Sequence, residues 1–127
     1  RGEDVRRLRR RLGLIMSRLC GIVRSAEGLE EAETVVAEVR SQLRLPGRDP
    51  EELELINLLT VADLMVRAAR MREESRGVHL RSDFPTRNDA LWRRHIRVAL
   101  GAQGEPEVHA ERALVMAPEE EEKGRSA

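Results

Sequence analysis

Aromatic side chains are nearly missing: one Phe, one Trp and no Tyr among 127 residues. A platform that stacks nucleic-acid bases needs several exposed rings, so that class is excluded. Net charge is missing too, with 23 basic residues against 23 acidic ones. A general nucleic-acid or membrane binder carries a clear basic excess, so neither nucleic acid nor membrane is an expected partner. Cysteine occurs once, at Cys20, which rules out an internal disulfide and fits a reducing, cytoplasmic setting. No window approaches about 20 uninterrupted apolar residues, and there is no signal-peptide architecture. Neither a Gly-x-Gly-x-x-Gly turn nor a Walker-type phosphate loop is present, which removes the recognisable nucleotide-binding turns. The histidines, His79, His95 and His109, lack metal-ligand partners at useful spacing. The chain opens Arg1-Gly2 rather than with Met, and we read it as a piece of something larger.

What remains is a single domain by length, able to bury roughly two-thirds of its unfolded surface. Val5, Leu8, Leu12, Ile15, Leu19 and Ile22 recur at spacings of three and four, one face of a helix over residues 5–22. Asp4 is its expected N-cap, and Gly21 is where it loosens or packs closely. A second helix is expected from Ser25, with Leu29, Ala32, Val36, Val39 and Leu43 on its stripe. Glu27, Glu30, Glu31 and Glu33 suit its N-terminal dipole and complement the Arg-rich first helix. The short connection predicts an antiparallel pair.

"LPGRDP" (45–50) breaks the pattern. A third helix is expected over 51–76, apolar on much more than one stripe and therefore in need of more cover than two helices provide. Asp63 and Arg67 are spaced for a surface pair, and Gly77 is expected to end the helix. After Pro85, "NDALWRRH" can hold a single helical turn. "HIRVAL" and "EVHAERALV", separated by "GAQGEP", predict a β-hairpin, the second run also being compatible with helix. The expected fold is thus mainly α: a spectrin-repeat-like, antiparallel three-helix bundle over residues 1–97, with a polar loop at 73–89. A hairpin or irregular segment follows over 98–116, and a disordered acidic tail over 117–127.

Candidate chemistry is sparse. Cys20 sits inside a helix stripe, where a plain buried thiol outweighs a nucleophile lacking a base and a cleft. "RRLRRRLGLIMSR" has the form of a basic amphipathic helix, but a solvated Arg face neutralised by the acidic second helix explains it better in a neutral chain. The loop is different. Glu73, Glu74, Arg76, His79, Arg81 and Asp83 fall close together on a helix end and its loop. Such carboxylates and guanidinium groups can lock a loop through bidentate hydrogen bonds, or bind an anion and exchange protons. Residue chemistry favours the structural joint and leaves the site open.

"ESRGVHLRSDFP", Glu74 to Pro85, resembles the Glu-Ser-Arg-Gly-x-His-x-Arg-x-Asp-aromatic-Pro signature of the succinate dehydrogenase, fumarate reductase and L-aspartate oxidase flavoproteins. "WRRH" (92–95) is similar to the Trp-x-x-His that follows it in those proteins, here Trp92 and His95. "MSRLCGIVRSAEGLEEA" (16–32) and "LLTVADLMVRAARMREESRG" resemble the family's Met-x4-Gly-Ile-x-Arg segment and the long helix before the signature. These blocks stand in family order over most of the chain. "GIVRS" and the short passage from "DFP" to Trp92 look more like the L-aspartate oxidase branch. Leu80 departs from the aromatic that commonly follows the signature His.

The resemblance implies a C-terminal three-helix accessory domain of an FAD-dependent enzyme that oxidises L-aspartate to iminoaspartate. That product would feed quinolinate synthase, a candidate partner of the parent, in bacterial NAD biosynthesis. It places the flavin-binding glycines and the substrate residues upstream, so this fragment would hold no FAD and carry no catalytic, cofactor-binding or metal-binding residue of its own. The implied neighbours are the FAD-binding and capping domains of the same chain. Docking would fall to Glu74, Ser75, Arg76, Gly77, His79, Arg81, Asp83, Pro85, Trp92 and His95. The same domain in a succinate dehydrogenase or fumarate reductase flavoprotein is the alternative within the family. A free-standing helical binding module using its Arg-rich helix is the alternative outside it, and strong salt dependence of binding would mark it.

Overall fold

In the computed structural model, which describes residues 2–43 and 49–112, three helices carry the core. They are α1 (Gly2–Leu19), α2 (Ala26–Ser41) and α3 (Pro50–Met71). Short elements follow: β1 (Val23–Arg24) lies between α1 and α2, and β2 (Leu80–Arg81), α4 (Asp89–Trp92), β3 (Arg94–Leu100) and β4 (Pro106–Arg112) come after α3. The Pro-Gly break falls largely, and the acidic tail wholly, outside the described residues.

Ion pairs across the helices give their directions. Arg11 meets Glu38 and Arg18 meets Glu31, so α1 and α2 run antiparallel. Arg6 meets Glu51 and Arg9 meets Glu54, so α1 and α3 run parallel and the bundle goes up, down and up. These exposed pairs contribute at most about 1 kcal/mol each. Stability comes from the apolar stripes. Leu8, Leu12, Val36, Val39, Leu55 and Leu59 are among the residues that fill one end of the core. Cys20, Leu29, Ala32, Val66 and Ala69 fill the other, with Ile15 and Met16 packed against both groups.

The caps follow from local chemistry. Ser25 Oγ accepts from the Gly28 N–H at 3.1 Å and starts α2. An Asp49 carboxylate oxygen accepts from the Glu52 N–H at 2.9 Å and starts α3, with Pro50 at its first position. Asp4 lies inside α1, not at its cap, because the helix begins at Gly2. The first helix also ends sooner than its stripe implies. A Cβ at Gly21 would collide with the Ser17 carbonyl oxygen, so only glycine allows the chain to turn out of the helix this tightly. Cys20 consequently faces the core while Ile22 stands outside it.

The third helix stops at Met71, with Arg72 as its cap in an extended conformation, instead of running to Gly77. Its breadth of apolar surface is real: Leu53, Leu58, Val61 and Met65 remain exposed. Three of these residues, Leu58, Val61 and Met65, line a groove of about 450 Å³ against Leu12 and Met16 of α1 and Cys20 just beyond its end. After α4, strands β3 and β4 pair antiparallel from Arg94↔Arg112 to Leu100↔Pro106. The domain is mainly helical with a C-terminal hairpin.

Candidate functional site

Arg81 accounts for the early end of α3. Its Nη1 donates to the carbonyls of Ala69, Arg70 and Arg72 at 3.1, 3.1 and 3.2 Å. These are oxygens that a helix C-terminus leaves without intrahelical partners, and a cation there also suits the helix dipole. The other side of the guanidinium grips Asp83 through Nε–Oδ1 at 2.9 Å and Nη2–Oδ2 at 2.8 Å, a bidentate fork. Asp83 Oδ2 in turn accepts from the Ala26 N–H at 3.0 Å. One buried arginine and its carboxylate thereby join the end of α3 to the start of α2. The Arg81 fork holds the Asp83 carboxyl down at about 2, against the opposing effect of burial.

Glu74 is the second hub and is 0% exposed. Its Oε2 accepts from Arg72 Nη1 at 2.7 Å and Arg76 Nε at 2.8 Å. Its Oε1 accepts from Arg76 Nη2 at 3.1 Å and the Asn88 N–H at 2.9 Å. Burial works against ionisation here, but the donors from Arg76, Asn88 and Arg72 outweigh it and bring the carboxyl down to about 2. Arg76 continues to Asp89 at 2.6 Å, whose carboxyl Arg87 and Arg76 also hold at about 2. Arg72 continues to the carbonyls of Trp92 at 2.8 Å and Arg94 at 2.7 Å, with its guanidinium 5.8 Å from the Trp92 ring centroid. Arg72 thus ties the start of the hairpin to the end of α3.

Ser75 and His79 close the loop on itself. Ser75 Oγ accepts from the Arg81 N–H at 2.9 Å and donates to the Phe84 carbonyl at 2.8 Å. Arg76 and His79 exchange backbone bonds around a two-residue turn whose first residue, Gly77, has φ +58, where a side chain would be strained. The chain then enters β2, which pairs in parallel with β1 as Val23↔Leu80 and Arg24↔Arg81.

His79 has both ring nitrogens engaged, Nδ1 with Arg24 Nη1 at 3.1 Å and Nε2 with the Arg72 carbonyl at 3.0 Å. A guanidinium can only donate, so Nδ1 accepts and Nε2–H is the donor. Burial lowers the imidazole pKa; the Arg72 carbonyl opposes this, and the charges of Arg24, Arg81 and Arg72 add to it. The folded value therefore lies below the ordinary 6.5. This contribution to stability is complete above pH 6.5 and declines as pH falls through the lowered folded value. An NMR titration of the His79 ring should show the Nε2–H tautomer and a midpoint under 6.5; a midpoint at or above it would contradict this geometry.

Glu74, Ser75, Arg76, Gly77, His79, Arg81 and Asp83 converge in this network, and Trp92 joins it through Arg72. Pro85 is exposed beside it, and His95 stands exposed on β3 outside it. Arg24, Arg72, Asn88 and Asp89 are working members that the sequence pattern does not single out. Arg24 and Arg72 lie inside the very blocks that resemble the family, "GIVRS" and "ARMREESRG", which is the signal that could have found them. The backbone contribution of Asn88 has no sequence signal. Cys20 is a free, buried thiol whose pKa burial pushes up, with Arg24 opposing. Among the described residues no group of three His, Cys, Asp or Glu is placed to hold a metal, and no helix is long and apolar enough to cross a membrane.

The family model described as fumarate reductase flavoprotein C-term matches residues 9–124. An L-aspartate oxidase of Streptomyces coelicolor is 40% identical over 103 residues, covering 75% of this chain and 18% of that protein. A succinate dehydrogenase flavoprotein subunit of Rickettsia conorii is 33% identical over 110 residues, covering 79% of this chain and 18% of that protein. The chain therefore spans less than a fifth of the length of either relative. Among solved structures, an E. coli quinol fumarate reductase superposes with a TM-score of 0.74 at 26% identity, over 90% of this chain and 22% of that one. Mycobacterium smegmatis Sdh1 superposes with a TM-score of 0.72 at 29% identity, over 91% and 21%.

Proposed function

This chain belongs to the fumarate reductase flavoprotein C-terminal family, and from that membership we propose that it is the accessory domain of an FAD-dependent L-aspartate oxidase, docked on the flavin-bearing part of its own polypeptide. The observation that carries the accessory role is the saturation of the signature cluster. Glu74, Arg76, His79, Arg81 and Asp83 are each engaged by other groups of the chain, so none is left as a free acid, base or anion receptor.

FAD would lie in the rest of the parent; in support of this, among the described residues, every buried side-chain nitrogen and oxygen has a protein partner, and no glycine-rich turn opens a helix. The rest of the parent would then carry the chemistry, with this domain in an accessory role. The parent would convert L-aspartate to iminoaspartate, which quinolinate synthase would consume. Identity to the Streptomyces coelicolor oxidase supports that branch.

The test is made on the full-length parent. Its visible spectrum should show bound flavin, and L-aspartate should drive peroxide formation while succinate is left unoxidised. Succinate oxidation, with an iron-sulfur subunit copurifying, would place the parent in the respiratory branch instead.

A further inference from the structure

The ribbon formed by β1 and β2 has its polarity inverted. Side chains alternate across a strand, and residues opposite one another share a face. In the register Val23↔Leu80 and Arg24↔Arg81, the arginine face turns inward, with Arg81 buried, while Val23 and Leu80 are open to water. Ile22 and Val78 flank them along the chain at 80% and 91% exposure. Four exposed aliphatic side chains thus lie on the ribbon or next to it in the chain, while Glu74, Ser75 and Arg81 hold the buried positions of the adjoining loop. Water alone would favour the reverse arrangement, and exposed aliphatic side chains gathered at one end of a domain mark a contact surface.

We propose that the corner of Ile22, Val23, Val78 and Leu80 is the face by which this domain docks on the flavin-bearing part of its own parent polypeptide. This rests on the accessory-domain reading above and names the surface it uses. The size of the corner selects the occupant. Four aliphatic side chains offer on the order of a few hundred Å², well short of the roughly 800 Å² per partner that separate molecules bury in a stable interface. A covalently tethered neighbour needs far less area, because its effective concentration is already in the range of about millimolar. Most of a relative's length lies outside the region this chain matches, so such a neighbour is large. The charged signature residues shape and hold the corner from behind, and the aliphatic residues make the contact.

The full-length parent again serves for the test, with Val78→Asp and Ile22→Asp at the corner and Met65→Asp in the groove between α1 and α3. Limited proteolysis reads how fast the bundle separates from the flavin-bearing part. Each corner variant should raise that rate at least about tenfold, since a carboxylate would have to be buried without a partner. The groove variant should stay within about twofold. Both corner positions are too exposed to hold the domain's own fold together, so an unchanged melting transition of the bundle distinguishes undocking from unfolding. Corner variants within about twofold of the parent overturn the proposal, and acceleration by Met65→Asp alone would assign docking to the groove while the accessory reading stands. A full-length chain without flavin would instead defeat the reading beneath it.

Discussion

Replacing Glu74 by glutamine is expected to cost about 3 kcal/mol and lower Tm by about 10 °C or more. The side chain keeps its shape but loses the charge facing Arg72 and Arg76. Each carboxylate oxygen now receives two donors. An amide nitrogen in either place would set a donor against donors inside a site with no access to water. The same substitution should flatten the acid limb of the stability curve. With the folded carboxyl at about 2 against an ordinary 4.5, the ionised form contributes fully above pH 4.5, and that contribution disappears as pH falls toward 2. Thermal melts of both proteins between those limits give the comparison. A loss under about 1 kcal/mol would remove Glu74 as a hub.

Arg81→Met should cost about 3–5 kcal/mol, because it strands Asp83 and uncovers three carbonyls at once. Arg81→Lys should recover little of this, since an ammonium cannot hold Asp83 in a fork and reach the end of α3 together. Hydrogen exchange in the last turn of α3 is the specific readout, and it should accelerate in both variants. Arg97→Ala supplies the contrast: its pair with Glu111 is half exposed on both sides and should be worth less than about 1 kcal/mol. If lysine restored the protection, simple charge would explain Arg81 and the fork would be irrelevant.

The helices were legible in the sequence because burial imposes a period. Leu8, Leu12, Val36, Val39, Leu55 and Leu59 repeat at helical spacing and meet in the core, and Ser25 marks the start of α2. The β3–β4 hairpin was legible from its turn residues. The helix ends were not, for reasons outside local pattern. α1 stops because a backbone approach at Gly21 turns the chain, and α3 stops because Arg81, well beyond its end, takes its last carbonyls. Both depend on tertiary neighbours that periodicity does not encode. The signature residues could be picked out by their charge density and family resemblance, but the backbone contact from Asn88 to Glu74 emerges only once distant segments are brought together.

The clamp that Arg81 places on α3 has a mechanical consequence. With 22 residues the helix is a rod of roughly 33 Å, fixed at one end to the loop and ribbon and, through Arg72, to the hairpin. Its other end is packed against α1 and α2 and paired to Arg6 and Arg9, so a tilt of the rod would carry the bundle with it. A tilt of about 5° imposed at the clamped end displaces the Asp49 end by about 3 Å over that length, comparable to a hydrogen-bond distance. Small shifts at the ribbon would reach the far end of the bundle enlarged, passed on by the clamped end of α3.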